Sequence, residues 1–135
     1  MSTELDFLHF WNKKYSTNKL ISQFRPQKHL YLFEESDIIY REWLKIHGFR
    51  DYKADYLLQI NKGWIKGITV EIDGSGGKFS HGGAGSERDR RKSNQFLKLG
   101  YLTMRFSVTT LKSNFQYVED EIKETYQIVS GKKIE

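Results

Sequence analysis

Two neighbouring stretches with the character of β-strands constrain the fold of this chain most. Residues 54–60 (ADYLLQI) and 63–73 (GWIKGITVEID) flank Asn61-Lys62-Gly63, which is typical turn chemistry, so together they predict a β-hairpin. After a glycine-rich loop, the pattern predicts a helix over 86–99 and a further strand over 101–108. Because a helix that links two strands permits a parallel crossover, the sheet is expected to be mixed.

Apolar residues at helical spacing predict three more helices, over 3–15, 36–47 and 113–128. The expected N-caps of the second and third are serines, Ser36 and Ser113. The expected apolar stripe of the helix over 36–47 consists of Ile39, Trp43 and Ile46. The predicted order is therefore two helices, a hairpin, a helix, a strand and a last helix.

The length and composition fit a single folded domain. The chain has 135 residues, of which 38% are hydrophobic and 15% aromatic, enough for one core. The predicted fold class is α/β or α+β, with a small mixed β-sheet flanked by helices. We expect one domain over residues 1–135, in which residues 1–33 form an N-terminal helical extension.

Charge and cysteine usage narrow the range of partners and sites. The formal net charge of +5 suits a polyanion such as DNA or RNA, although many soluble domains are mildly basic. The chain has no cysteine, which excludes disulfides, thiolate zinc sites and cysteine nucleophiles and fits a reducing, cytoplasmic setting. No apolar run approaches the roughly 20 residues that span a bilayer, so no membrane partner is expected.

Three acids occupy positions in the predicted hairpin that bring them together. Glu71 and Asp73 are two residues apart in one strand, so they point to the same face of the sheet. Asp55 lies at a similar distance from the turn on the other strand, so a simple register places it beside Glu71. Converging carboxylates repel each other, and a hard cation such as Mg²⁺ offsets that repulsion. The alternative is that these acids are solvated or pair with nearby lysines, Lys53 and Lys78.

A longer ordered set of residues contains this acid group. The set comprises Asp55, the E-x-D-G motif over 71–74, His81, the D-x-x-K pair Asp89 and Lys92, Gly100-Tyr101 and Arg105-Phe106. It resembles the very-short-patch-repair endonuclease and its relatives, the small restriction-like domains and the phage or intron homing endonucleases of the PD-(D/E)XK nuclease superfamily. The resemblance covers roughly residues 36–107, and Asp37, eleven residues before Gly48, takes the place of the family's helix acid.

The resemblance implies a restriction-endonuclease-like fold and site-specific hydrolysis of DNA phosphodiester bonds with Mg²⁺ or Mn²⁺. It implies metal ligation by three acids, Asp55, Glu71 and Asp73. It extends the candidate catalytic residues to Asp37, His81 and Lys92. The candidate contacts to the phosphates of double-stranded DNA are Lys78, Arg88, Arg90, Arg91 and Arg105.

Some positions depart from the family's pattern and leave alternatives open. The superfamily's E-x-K lysine is Asp73 here, so the positive charge comes either from a second metal ion that Asp73 holds or from Lys92. The E-x-D spacing favours Asp73 and metal, because it puts both carboxylates on one strand face. Lys78 is a further source of that charge, and Glu35 competes with Asp37 as the helix acid. His81 is either a loop residue without a role or a proton donor or acceptor. Arg105 pairs with a site acid or phosphate, or forms a structural salt bridge.

The leading hypothesis is a metal-dependent DNA endonuclease. Cutting both strands with so small a chain requires two active sites, so a homodimer or higher symmetric oligomer is expected. One alternative is a non-catalytic nucleic-acid-binding protein on a nuclease fold, and another is an RNA-processing nuclease. An intracellular, cytoplasmic location, compatible with a phage-encoded protein, is expected.

Overall fold

The computed structural model describes residues 3–29, 38–74 and 86–135. Within these ranges the chain forms four strands and six helices. In chain order they are α1 (Thr3–Lys14), β1 (Ile21–Phe24), α2 (Pro26–His29), α3 (Ile38–His47), β2 (Ala54–Lys62), β3 (Ile65–Asp73), α4 (Glu87–Lys98), β4 (Tyr101–Ser107), α5 (Val108–Ser113) and α6 (Phe115–Ser130). None of the helices in the described ranges has the length and apolar character needed to cross a membrane.

The strands form one mixed sheet in the order β1-β2-β3-β4. The pairs β1–β2 and β2–β3 are antiparallel. The pair β3–β4 is parallel, and α4 connects these two strands. The predicted α+β class, mixed sheet and parallel crossover are confirmed. Gly100 enters β4 with a φ of 95°, and a Cβ there would lie 2.6 Å from the Trp64 carbonyl oxygen, so this turn requires glycine.

The β2–β3 hairpin has the register that the sequence predicts at the end where the acids lie. Tyr56 pairs with Val70. One residue further from the turn, the Asp55 N–H donates to the Glu71 carboxylate, so these two residues lie side by side. An irregularity between Gln59 and Lys62 shifts the pairing near the turn. The shift leaves the far end of the hairpin unchanged.

The sheet is covered on both faces. The larger core lies between one face and the helices α1, α5 and α6, and includes Trp11, Tyr56, Val70 and Ile122. The smaller core lies on the other face beneath α4, where Phe96 packs against Leu57 and Tyr101 in the cluster. Since Tyr56 and Leu57 are successive residues of β2, the strand alternation assigns one side chain to each core.

Residues 1–33 were expected to form an extension, and the structure corrects this for the part of them that it describes, residues 3–29. Helix α1 buries Phe7 and Trp11 in the larger core, and β1 pairs with β2 at the edge of the sheet. Strand β1 is not predictable from the sequence because it has only four residues and buries Phe24 alone, so it shows no alternation of apolar and polar residues. The part of the N-terminal segment that forms α1 and β1 therefore belongs to the sheet and its core.

Two details of the predicted helices are wrong. Helix α3 buries Tyr40 and Leu44, whereas Ile39 and Ile46 are 68% and 78% exposed. The error arose because this helix has two sets of apolar residues at helical spacing. The predicted set begins at Ile39, and the buried set begins one position later, at Tyr40. Ser113 is the last residue of α5 and not an N-cap; Asn114 caps α6 and Ser107 caps α5. Ser36 lies outside the described residues.

The buried position of α1 leads to a stability prediction. We expect Trp11→Ala to lower the free energy of unfolding by about 3–5 kcal/mol, because Trp11 is fully buried. Trp64→Ala is the matched control, since Trp64 at the hairpin turn is 62% exposed and should cost less than about 1 kcal/mol. Urea unfolding of the three proteins measures both values. Equal losses in the two variants would contradict the assignment of α1 to the core.

Candidate functional site

Asp55 and Glu71 are joined directly across the hairpin. The backbone N–H of Asp55 donates to Oε2 of Glu71 at 3.2 Å, and the backbone N–H of Ile72 donates to Oδ2 of Asp55 at 2.7 Å. Each carboxylate is thus held by the backbone of the opposite strand. The predicted neighbourhood of these two acids is confirmed.

Lys92 reaches Glu71 from helix α4. Its Nζ lies 2.5 Å from Oε1 of Glu71, which is only 4% exposed. Burial raises the pKa of Glu71, the charge of Lys92 opposes that rise, and the nearby carboxylate of Asp55 adds to it. Of the two sources of positive charge left open by the sequence, Lys92 is therefore in direct contact with a site acid.

Asp73 is paired with Arg105 of the neighbouring strand. Nη1 of Arg105 lies 2.8 Å from Oδ1 of Asp73 and 3.6 Å from Oδ1 of Asp89. Oδ2 of Asp73 is buried and has no hydrogen-bond partner in the described part of the chain. Burial raises the pKa of Asp73. The charge of Arg105 opposes this rise, whereas the carboxylates of Asp89 and Asp55 add to it.

Local sequence explains why α4 supplies these partners. Ser86 caps the helix by accepting a hydrogen bond from the Asp89 N–H at 3.1 Å. Asp89 and Lys92 are three residues apart and so lie on one face, the same face that buries Phe96 against the sheet. The parallel β3–β4 register then sets Arg105 opposite Glu71.

We call the resulting group the carboxylate cluster; it consists of Asp55, Glu71, Asp73, Asp89, Lys92 and Arg105. Four carboxylates face two cations, so the fully ionised cluster has an excess of two negative charges. That excess and the unpartnered Oδ2 of Asp73 fit one divalent cation with oxygen ligands. No group of three or more acidic, histidine or cysteine side chains among the described residues is already arranged around a metal position. Mg²⁺ does not require one, because it commonly binds through one or two carboxylates plus water and substrate phosphate.

The other predicted site residues fall into two groups. Asp37, Lys78 and His81, as well as Glu35, lie outside the described residues. The arginines Arg88, Arg90 and Arg91 are exposed on the first half of α4. Two of them, Arg90 and Arg91, lie 3.7 and 3.2 Å from the carboxylate of Glu87.

Glu4 is an acid near the cluster that the sequence analysis missed. It lines a cavity of about 140 Å³ together with Asp55 and Tyr56. The Tyr56 hydroxyl donates to the Glu4 backbone carbonyl, and burial and Asp55 raise the pKa of Glu4. No local motif marks Glu4, because only the packing of α1 against β2 brings it to Asp55.

Comparison with known proteins gives no relative for this chain. No protein-family model, no curated protein and no solved structure matches it.

We expect the burial of Glu71 to make stability depend on pH. Its ordinary pKa is 4.5 and the folded state raises it, so above pH 4.5 the folded chain binds more protons than the unfolded chain. The free energy of unfolding should therefore fall as the pH rises from about 4.5 through the raised value. Glu71→Gln should make this fall smaller, and the part that remains comes from Asp73 and Glu4, whose pKa values burial also raises. Urea unfolding at a series of pH values from about 4 to 7 measures the difference.

The control is Glu124→Gln, which removes an exposed glutamate of α6 and should follow the wild type. Parallel pH profiles for the wild type and Glu71→Gln would show that the buried carboxylate does not titrate as proposed.

Proposed function

We propose that the protein is a metal-dependent endonuclease that hydrolyses phosphodiester bonds of DNA. The observation that carries the proposal is the Asp55–Glu71 carboxylate pair with Lys92 in contact with Glu71. A pair of acids beside a cation is the combination that phosphodiester hydrolysis needs, since it requires metal ligation and stabilisation of developing negative charge. The mixed sheet with its β3–α4–β4 crossover is consistent with the fold that the family resemblance implies.

Each residue of the carboxylate cluster has a role in this proposal. Asp55 and Glu71 would be the principal ligands of Mg²⁺, and Asp73 would contribute through its unpartnered oxygen. When bound, the ion would supply Lewis-acid stabilisation and a water of lowered pKa. Arg105 holds Asp73 in place through its 2.8 Å contact and orients it towards the cluster.

Lys92 is the residue that we place in the role of the missing superfamily lysine. Its ammonium group is within 2.5 Å of Glu71, whereas Oδ1 of Asp73 is engaged by Arg105. A cation at this position can face the scissile phosphate once the DNA is bound, and can stabilise the charge that develops there. His81 remains a candidate for proton transfer on sequence grounds.

Partners follow from the same proposal. The basic arginines of α4 would contact the phosphates of double-stranded DNA, and cleavage of both strands would require a homodimer or a higher symmetric oligomer. The proposed setting is intracellular. Homing, restriction and repair are the roles that the family resemblance includes.

The experiment that tests the proposal is cleavage of supercoiled plasmid with Mg²⁺, with Mn²⁺ and with a chelator. We expect nicked and linear products only with the metals. Glu71→Gln should abolish cleavage while DNA binding is retained, because it removes a ligand and leaves the arginines of α4 intact. Glu124→Gln should cleave as the wild type does. Cleavage by Glu71→Gln at the wild-type rate would refute the ligand assignment, and cleavage of RNA alone would support the RNA-processing alternative.

A second prediction separates Lys92 from Asp73. We expect Lys92→Met to lower the cleavage rate on the order of 10²–10³-fold, the cost of losing one transition-state charge partner, while cation binding is retained. Lys92→Arg is the control that keeps the charge and should lose less. Urea unfolding of each variant at the assay pH shows whether the fold is intact, since Lys92→Met leaves Glu71 buried without its partner.

The contrary result is a wild-type rate in Lys92→Met together with a severe loss in Asp73→Asn. It would mean that a metal ion held by Asp73, and not Lys92, supplies the charge.

One observation favours a second candidate, a nucleic-acid-binding protein without turnover. Glu71 and Asp73 are already neutralised within the protein by Lys92 and Arg105. If these ion pairs persist when DNA binds, the acids are structural and no metal enters. Metal-independent DNA binding with no cleavage at any Mg²⁺ or Mn²⁺ concentration would support this candidate.

A further inference from the structure

A second basic feature lies on the side of helix α4 adjacent to its sheet contacts. A cavity of about 420 Å³ is lined by Arg50, Asp51, Tyr52, Glu87, Arg88 and Arg91. Three arginines therefore line one concavity, which we call the arginine pocket. Arginine matches phosphate geometry because its planar group donates two parallel hydrogen bonds.

The pocket is built by buried glutamines that fix the backbone of Arg50. The N–H of Arg50 donates to Oε1 of Gln95 at 2.9 Å, and Nε2 of Gln95 donates to the Arg50 carbonyl at 2.7 Å. Gln95 also donates to Gln27 at 3.1 Å, and Gln27 donates to the Tyr52 carbonyl at 2.7 Å. Buried amides are retained where such bonds satisfy them, so this network locks the segment 50–52 onto α4.

The acids of the pocket are already engaged. Asp51 accepts a hydrogen bond from the Tyr40 hydroxyl at 2.6 Å and lies 3.3 Å from Nε of Arg25. Glu87 pairs with Arg91 at 3.2 Å. Asp51 is thus engaged by groups outside the pocket lining and Glu87 balances Arg91, so within the described part of the chain Arg50 and Arg88 are left to be balanced by an incoming anion.

Helix geometry relates the pocket to the carboxylate cluster. Arg88, Arg91 and Gln95 recur at helical spacing on one side of α4. Asp89, Lys92 and Phe96 follow them by one position and face the sheet. The two sites therefore lie on adjacent sides of the same two turns of helix.

We propose that the arginine pocket binds a backbone phosphate of duplex DNA adjacent to the phosphate at the carboxylate cluster. This inference rests on the proposed function and adds Arg50 to the DNA interface. It also separates the α4 arginines, because Arg88 and Arg91 line the pocket and Arg90 does not. Strand placement by the pocket would hold the neighbouring phosphodiester at the acids.

The test compares two double variants that remove equal charge. Arg50→Gln with Arg88→Gln changes the pocket, and Lys98→Gln with Lys112→Gln removes the same charge outside it. All four side chains are exposed, so both proteins should fold, which circular dichroism verifies. Affinity for a duplex oligonucleotide is measured by fluorescence anisotropy over a range of salt concentrations, with a chelator present to prevent cleavage.

The slope of log K against log[salt] is negative for DNA binding, and each phosphate contact adds about 0.9 to its magnitude. We expect the pocket variant to reduce that magnitude by about one to two. The control variant should change the slope by less than about half a contact. Equal changes in the two variants would show a response to net charge alone and would overturn the pocket, as would an unchanged slope or no binding to duplex DNA.

The result is independent of the outcome for catalysis. Cleavage by the wild type with an unchanged slope in the pocket variant would refute the pocket and leave the endonuclease proposal standing. A lowered slope in a protein that never cleaves would support the pocket and refute the endonuclease.

Discussion

The contact between Lys92 and the buried carboxylate of Glu71 is the interaction on which the rest of this site depends. A carboxylate that is 4% exposed is costly unless a cation or hydrogen-bond donors accompany it. The sheet supplies one donor, the Asp55 N–H, and α4 supplies the cation. The buried charge of Glu71 in β3 is therefore stabilised only when α4 packs close enough for Lys92 to reach it.

The same helix contributes to both proposed sites because of where its contacts fall. Its sheet-facing residues complete the carboxylate cluster, and its neighbouring side forms the arginine pocket with the segment 50–52. Arg105 joins β4 to both α4 and β3 by contacts with Asp89, Ser93 and Asp73. Ion pairs within a buried group set geometry more reliably than they add stability, which is what a site with preorganised charges requires.

The sequence predicted the elements around the acids well because their signals are local. The hairpin and the D-x-x-K spacing each depend on residues close together in the chain, and both appear in the structure. The turn itself falls at Gly63 and Trp64 and not over 61–63, because β2 continues to Lys62. The pairing of Asp55 with Glu71 followed from the turn position alone, since an irregularity near the turn leaves the far register intact.

The features that the sequence did not predict depend on contacts between distant residues. Strand β1 has four residues and one buried side chain, so only its pairing with β2 defines it. Glu4 reaches Asp55 through the packing of α1, and Gln95 reaches Arg50 across 45 positions. In α3, two overlapping apolar stripes fit the helical period, and the tertiary fold selected Tyr40 and Leu44.

The central claim is that Asp55 and Glu71 together hold a divalent cation, and Mn²⁺ binding measured by electron paramagnetic resonance tests it most directly. The spin signal of free Mn²⁺ falls when the ion binds, so the titration reads occupancy without any need for cleavage. We expect saturable binding by the wild-type protein at neutral pH that Asp55→Asn abolishes and Glu124→Gln leaves unchanged. Absence of saturable binding, or equal binding by Asp55→Asn, would contradict it.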